Sequence, residues 1–213
     1  MRYRCDIKLM GVPERLAHIT ETSLQLGIGP NDCFIDYAHL GSPLKTSRGA
    51  FLLPAEEGVT HRCVIQDDID FCENFVPFVD YLVNHHPDAI FTLFCGSSKV
   101  KLYEAGTIIK TGGQFWGPAV IIPLHYLDEI YRDLDAYNPD YKHDDCWYAD
   151  WAIKHKVKTL TTIPTPVNTI PLMDSSMKHN NVCKSHWFEK GDIMQYDWKD
   201  LSNKSMGLSR KLL

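Results

Sequence analysis

The sequence has no CxxC pair, no internal repeat, no low-complexity segment, no excess of basic charge and no long apolar run. Each absence removes a class of function. Without an apolar stretch of roughly 18 residues there is no candidate transmembrane helix, and no apolar core precedes a cleavage site near the N-terminus. The expectation is therefore a protein with no membrane anchor, in the cytoplasm. The seven cysteines are odd in number and scattered, at Cys5, Cys33, Cys63, Cys72, Cys95, Cys146 and Cys183. Several sit in apolar runs, such as RCVIQ and FTLFC, which reads as buried free thiols in a reducing compartment rather than a disulfide framework or a zinc site. A formal charge of -5 disfavours a general nucleic-acid-binding surface. The basic residues near the C-terminus, Lys199, Lys204, Arg210 and Lys211, read as a solvated tail.

What is present is an ordinary globular composition, 44% hydrophobic and 23% charged over 213 residues, enough for one domain with its own core. Strand candidates are CDIKLMGV, CFIDY, THRCVIQ, DAIFTLF, PAVIIPL and KTLTTIP. Helical patterns fall between them, over Glu14 to Leu26, Phe75 to Asn84, Leu124 to Leu134 and Asp145 to Lys156, with Gly27 as the stop signal of the first. Alternating strands and helices predict an α/β layer with a mostly parallel sheet. After Pro164, proline, asparagine, serine and histidine dominate, and the rest is expected to be mostly loops over the sheet, the kind of segment that forms lids.

The most informative stretch is Gln66-Asp67-Asp68-Ile69-Asp70, where an apolar strand delivers three carboxylates at its C-terminal end. Ligands of open α/β sheets bind outside the carboxyl ends of strands. Clustered carboxylates repel unless a positive charge lies between them, and a hard divalent cation carrying a diphosphate suits that need. The competing reading is a solvated acidic turn that caps the next helix.

THRCVIQDDIDFCENF resembles the DxD-type segment of glycosyltransferases with the GT-A nucleotide-diphospho-sugar transferase fold. MGVPERLAHITETSLQLGI is similar to the first strand and helix of such enzymes, through Arg15, Ser23-Leu24 and Gly27, and CFIDY then takes the place of the second strand. The resemblance covers about residues 6 to 172. It implies a single GT-A (Rossmann-like) domain over 1–213, with a mixed, mostly parallel sheet: a donor-binding half over 1–110, an acceptor and catalytic half over 111–172, and a loop-rich tail or lid over 173–213. It also implies a metal-dependent transfer of a hexosyl or pentosyl group from a UDP-type nucleotide sugar to an acceptor hydroxyl. Mn²⁺ or Mg²⁺ would sit on Asp68 and Asp70. Donor contacts would come from Gly11, Val12, Arg15, Asp36, Arg48, Gln66 and Asp67, with Asp67 on ribose or sugar hydroxyls. Anchor-free members of this kind are bacterial or phage enzymes, so the cell would be bacterial or virus-infected, and a glycan or a hydroxylated DNA base is an acceptor the resemblance allows.

The acceptor side is read from TGGQFWGPAVIIP and HDDCWYADW. Gly113 and Gly117 permit close backbone approach, and Trp116 offers a flat face to a sugar or base. Asp144-Asp145 precedes a helix whose N-terminal dipole favours negative charge. An inverting transfer needs a carboxylate to take the acceptor's proton, and Asp145 is the first candidate, Asp144 the second; the plainer reading is a helix cap. In IPTPVNTIPLMDSS, Thr169 stands where related enzymes often carry a metal-binding histidine, which leaves His179 or His186 as substitutes. Two rivals remain at this stage. A sugar nucleotidyltransferase would open with a Gly-rich basic phosphate loop, where this chain has GVPER. A non-catalytic binding module would keep the fold without the chemistry.

Overall fold

The computed structural model describes residues 2–137, 140–141, 143–170 and 184–206. The chain opens with β1 (Cys5–Gly11), whose apolar residues are followed by Pro13. Proline at the first position of a 3-10 turn over Pro13–Arg15 leads into α1 (Leu16–Leu26), which Gly27 ends at φ 67°, a left-handed conformation glycine adopts without strain. Then come β2 (Cys33–Ile35), α2 (Pro43–Phe51), β3 (His61–Gln66), β4 (Ile69–Phe71) and α3 (Phe75–His85). The second half supplies β5 (Ile90–Thr92), β6 (Thr107–Lys110), β7 (Ala119–Pro123), α4 (Leu124–Tyr137), α5 (Asp144–Lys154), β8 (Thr159–Ile163), β9 (Val167–Thr169) and β10 (Lys199–Ser205).

Eight strands form one sheet in the order β10-β6-β8-β5-β7-β3-β1-β2, and β4 with β9 forms a separate pair. The β1–β2, β1–β3, β5–β8 and β6–β10 pairings are parallel, whereas β7 is antiparallel to both neighbours and β6 to β8. The α/β architecture with a mixed, mostly parallel sheet expected from the sequence is what is observed.

Period-two alternation sorts the strand side chains onto the two faces. Ile7, Leu9, Cys63 and Ile65 pack with Ile19 of α1 and with Phe78, Val79 and Leu82 of α3. Met10 and Val64 face the other way, into a core with Leu44 and Phe51 of α2, Ile130 of α4 and Trp151 of α5. Leu16 and Leu24, both inside the helical pattern read over Glu14 to Leu26, are exposed at 41% and 76%.

Beneath α2 the second face carries charge. Arg62 is 1% exposed. Its Nε lies 3.0 Å from Asp6 Oδ1, its Nη2 lies 2.7 Å from Asp6 Oδ2, and its Nη1 donates to the carbonyls of Phe51, at 2.7 Å, and of Leu53. Lys8, also buried, reaches Asp32 at 2.6 Å. The guanidinium thereby fastens the C-terminal end of α2 to the sheet. Arg62→Ala leaves two carbonyls without their donor and leaves Asp6 with Lys8 Nζ, 3.3 Å away, in place of the guanidinium; breaking a buried pair costs up to about 3–5 kcal/mol. Urea denaturation should show that loss; a midpoint within error of the parent would mean that α2 is held by packing alone.

Two differences from the sequence reading have physical causes. The GSPLKTSRG stretch, covered by none of the helical patterns read from the sequence, is largely helix α2: Pro43 sits at its first position and Leu44, Ser47, Ala50 and Phe51 make the buried stripe. The tail, expected as loops, contributes the edge strand β10, in which Ser202 is the only residue of the strand below one-tenth exposure. Its pairing rests on backbone bonds, so its side chains carry no apolar alternation to read. β4, β6 and β9 were likewise not anticipated, being short. Of the tail or lid expected over 173–213, residues 173–183 and 207–213 lie outside the described residues.

Candidate functional site

A cleft of about 200 Å³ opens at the carboxyl ends of β1, β2 and β3. Its floor is the β1–α1 turn with Gly11, Val12 and Arg15, one wall is Asp36 with the following loop and the start of α2, and the other is the Gln66-Asp67-Asp68 turn. Six donor residues expected from the sequence, Gly11, Val12, Arg15, Asp36, Gln66 and Asp67, are thus brought together, with Asp68 beside them.

Asp67 is 5% exposed and is built into the floor. Its Oδ1 is 2.6 Å from Arg15 Nη1 and its Oδ2 accepts the Val12 N–H at 3.1 Å. Burial pushes its carboxyl above the usual range, against the pull of Arg15, and the charge of Asp68 adds to the rise. A Cβ on Gly11 would stand 2.3 Å from Asp67 Oδ2 and 2.7 Å from Ile19 Cδ1, so only glycine allows this packing of β1 against the acidic turn. Asp36, likewise 5% exposed, accepts the Leu40 N–H at 3.0 Å and the Thr46 hydroxyl at 3.0 Å. It shapes the wall by tying the β2–α2 loop to α2.

Asp68 differs from its neighbours. Arg15 Nη1 stands 3.5 Å from its Oδ2, while its Oδ1 is buried without a hydrogen-bond partner. Its carbonyl accepts the N–H of Ile170 at 2.8 Å, which anchors the turn to the end of β9. Asp70 pairs in register with Asn168 of β9, and its half-exposed carboxylate lies 3.6 Å from Lys190 Nζ. Among the described residues no group of three or more His, Cys, Asp or Glu is arranged to hold a metal ion. The unpartnered oxygen of Asp68 fits a divalent cation that brings most of its coordination sphere as phosphate oxygens and water, the usual habit of Mg²⁺; it does not fit an all-protein cage. Thr169 pairs with Ile69, where related enzymes were expected to carry histidine. His186 is exposed, with its N–H donating to the Cys95 carbonyl at 3.3 Å, and His179 lies outside the described residues.

The acidic pair arrives at the same end of the sheet. Because β7 runs antiparallel to β3, the loop before it, with Gly117, crosses over Gln66, whose N–H donates to the Pro118 carbonyl at 2.9 Å. The space where Gly117 would carry a Cβ lies 3.1 Å from Asp144 Oδ1 and 3.4 Å from Gln66 Nε2. Gly117, Gln66 and Asp144 therefore converge. Asp144 is 5% exposed, with the Asp145 N–H donating to its Oδ1 at 2.8 Å; Asp145 is half-buried. Desolvation, reinforced by the charge of Asp145, pushes the Asp144 carboxyl up to about 7.

That shift has a consequence for stability. The folded carboxyl keeps its proton to about pH 7, whereas the unfolded one releases it near 3.8. Between those values the native state binds more protons, so stability falls as pH rises through the window. Asp144→Asn removes the slope. Calorimetric melting should show the variant gaining on the parent between pH 5 and pH 8; a constant difference would mean that Asp144 does not titrate there.

Two expected residues lie elsewhere. Arg48 makes two bonds to Asp135 of α4, at 2.6 and 2.8 Å, and stacks over the Tyr131 ring at 5.0 Å. Gly113 faces Ile153, nine residues beyond Asp144 along α5, about 14 Å by helical rise. Trp116 is half-buried against the core, its carbonyl accepting the Thr92 hydroxyl at 2.7 Å. The cleft wall adds His39, Ser42 and Thr46, which the sequence reading passed over. The Ser42-Pro43 pair, a helix-start signature, was the signal that would have placed Thr46 one turn into α2.

Among the described residues no helix is long and apolar enough to cross a membrane. No protein-family model matches the chain, and no curated protein matches it.

Proposed function

We propose that this chain is a glycosyltransferase that moves a hexosyl or pentosyl group from a UDP-type nucleotide sugar to an acceptor hydroxyl. The observation that carries the reading is the buried, unpartnered Asp68 Oδ1 at the carboxyl end of β3, beside a cleft floored by a strand-to-helix turn. The Gly11–Val12 turn and the loop held by Asp36 receive the nucleoside. Arg15, already fixed by Asp67, faces the diphosphate from the floor. Asp68 would hold the divalent cation, Mn²⁺ or Mg²⁺, whose charge would offset that of the diphosphate leaving group. Gln66 and Gly117 border the space between donor and acceptor. Asp145, half-buried at the N-terminus of α5, takes the acceptor's proton in an inverting transfer.

Calorimetric titration of UDP with Mn²⁺, and again with excess chelator, tests the donor half of the proposal. Binding should weaken strongly without metal; equal affinity in both would sink the metal-dependent reading. A panel of nucleotide sugars scored for metal-dependent hydrolysis then identifies the donor.

A further inference from the structure

Most polar groups in the nucleoside half of the cleft are engaged within the protein. The Val12 N–H goes to Asp67, and the Gly11 carbonyl accepts the Asp36 N–H at 2.8 Å. The Asp36 carboxylate accepts the Leu40 N–H and the Thr46 hydroxyl, each at 3.0 Å, and the Asp36 carbonyl accepts the His39 N–H at 3.3 Å. Asp36 thereby holds the turn that carries His39, and His39 lines the cleft. The φ of His39 is 47°, a left-handed conformation that glycine holds without strain and other residues hold at a cost. Its side chain is 57% exposed, and its Nε2 stands 3.3 Å from Oε1 of Glu14, itself 62% exposed, in the Pro13–Arg15 turn. An exposed pair of this kind contributes little to stability. Stability therefore does not account for a side chain at this strained position, whereas its place on the cleft wall does.

We propose that His39 selects the nucleobase: held by Asp36 and oriented by Glu14, it accepts a ring N–H at Nδ1, so that the cleft takes uracil and rejects cytosine. The inference rests on the reading of this cleft as a nucleotide-diphosphate site. An ionised carboxylate only accepts hydrogen bonds, so Glu14 draws the one proton of a neutral imidazole to Nε2. Nδ1, which has no hydrogen-bond partner among the described residues, is then an acceptor in the plane of the ring. Uracil offers an N3–H on the edge where cytosine offers the lone pair of N3. Against cytosine two acceptors would face each other, and the site would leave both without a donor. The cleft then has an acceptor on each wall, His39 Nδ1 for the base and Asp68 Oδ1 for the cation, and a nucleotide diphosphate is the kind of ligand that spans the two.

Calorimetric titration with UDP and with CDP, each in the presence of Mn²⁺, tests the inference on the parent, on His39→Gly and on Glu14→Gln. The parent should bind UDP about tenfold or more tightly than CDP, the effect of one unmade hydrogen bond in a polar site. His39→Gly removes the imidazole and relieves the left-handed strain. Its melting temperature should stay close to that of the parent while UDP binding weakens and the ratio of UDP to CDP affinity falls toward unity. A merely structural role would instead lower the melting temperature and weaken both nucleotides alike. The amide of Glu14→Gln can donate to Nε2, which lets the imidazole carry its proton on Nδ1, so the preference should shrink or turn toward CDP. A parent that does not discriminate, or a ratio in His39→Gly equal to that of the parent, overturns the inference and leaves metal-dependent UDP binding standing. If neither nucleotide binds with Mn²⁺, the nucleotide-site reading falls and takes this inference with it.

Discussion

Asp145→Asn is expected to slow sugar transfer by about 10²–10⁴-fold while leaving UDP and metal affinity unchanged. The two carboxyls of the pair have different surroundings. Asp144 is sealed at 5% exposure under Gly117, whereas Asp145 is half-buried on the first turn of α5, where an acceptor hydroxyl can approach it. A base must touch the proton it removes, which burial denies the sealed residue. Asp144→Asn should therefore cost less than Asp145→Asn and act on the pH profile more than on the maximal rate. Steady-state kinetics of both variants, with calorimetric UDP affinity as a control, decides the matter. Swapped effects would assign the base to Asp144, normal turnover in both would reduce the pair to a helix cap, and a product with retained anomeric configuration would remove the need for a base.

The second large effect is expected at Asp68. Asp68→Asn keeps the shape of the turn but removes the charge a cation needs, and losing one charged partner of a close pair costs about 2–5 kcal/mol, roughly 30-fold to a few thousand-fold in affinity. Metal-dependent UDP binding should collapse to the affinity measured with chelator. The fold should survive, because Asp68 keeps its anchor through a backbone carbonyl, bonded to Ile170 at 2.8 Å, and its Oδ1 has no partner to lose. Asp67→Asn is a different experiment: it disturbs the 2.6 Å contact with Arg15 and should lower the melting temperature as well. Retained metal dependence in Asp68→Asn would place the cation elsewhere.

The strand candidates at CDIKLMGV, THRCVIQ, PAVIIPL and KTLTTIP were legible because each is buried on both faces, and a run of apolar residues is what such a strand requires. Gly27 was legible as punctuation because the left-handed turn that glycine permits is a local property. β10 was not legible: an edge strand made of LSNK-type residues is held by a neighbour's backbone, and no local pattern encodes the neighbour. For the same reason no local pattern showed that Asp6 and the end of α2 would close around Arg62.

The sequence by itself determined the α/β alternation and the delivery of carboxylates by QDDID to a strand end, since periodicity and composition are properties of short stretches. The tertiary structure decided the division of labour. Asp67 and Asp68 are chemically identical neighbours, yet one is consumed by Arg15 and Val12 while the other keeps a free oxygen. Arg48, a cation of the same kind as Arg15, is drawn to Asp135 on another helix. Asp144 and Asp145 part in the same way, one sealed against Gly117 and one half-buried. Hydrogen-bond partners and dielectric surroundings belong to positions in space and not to residue types, so these assignments exist only once the strands and helices have packed.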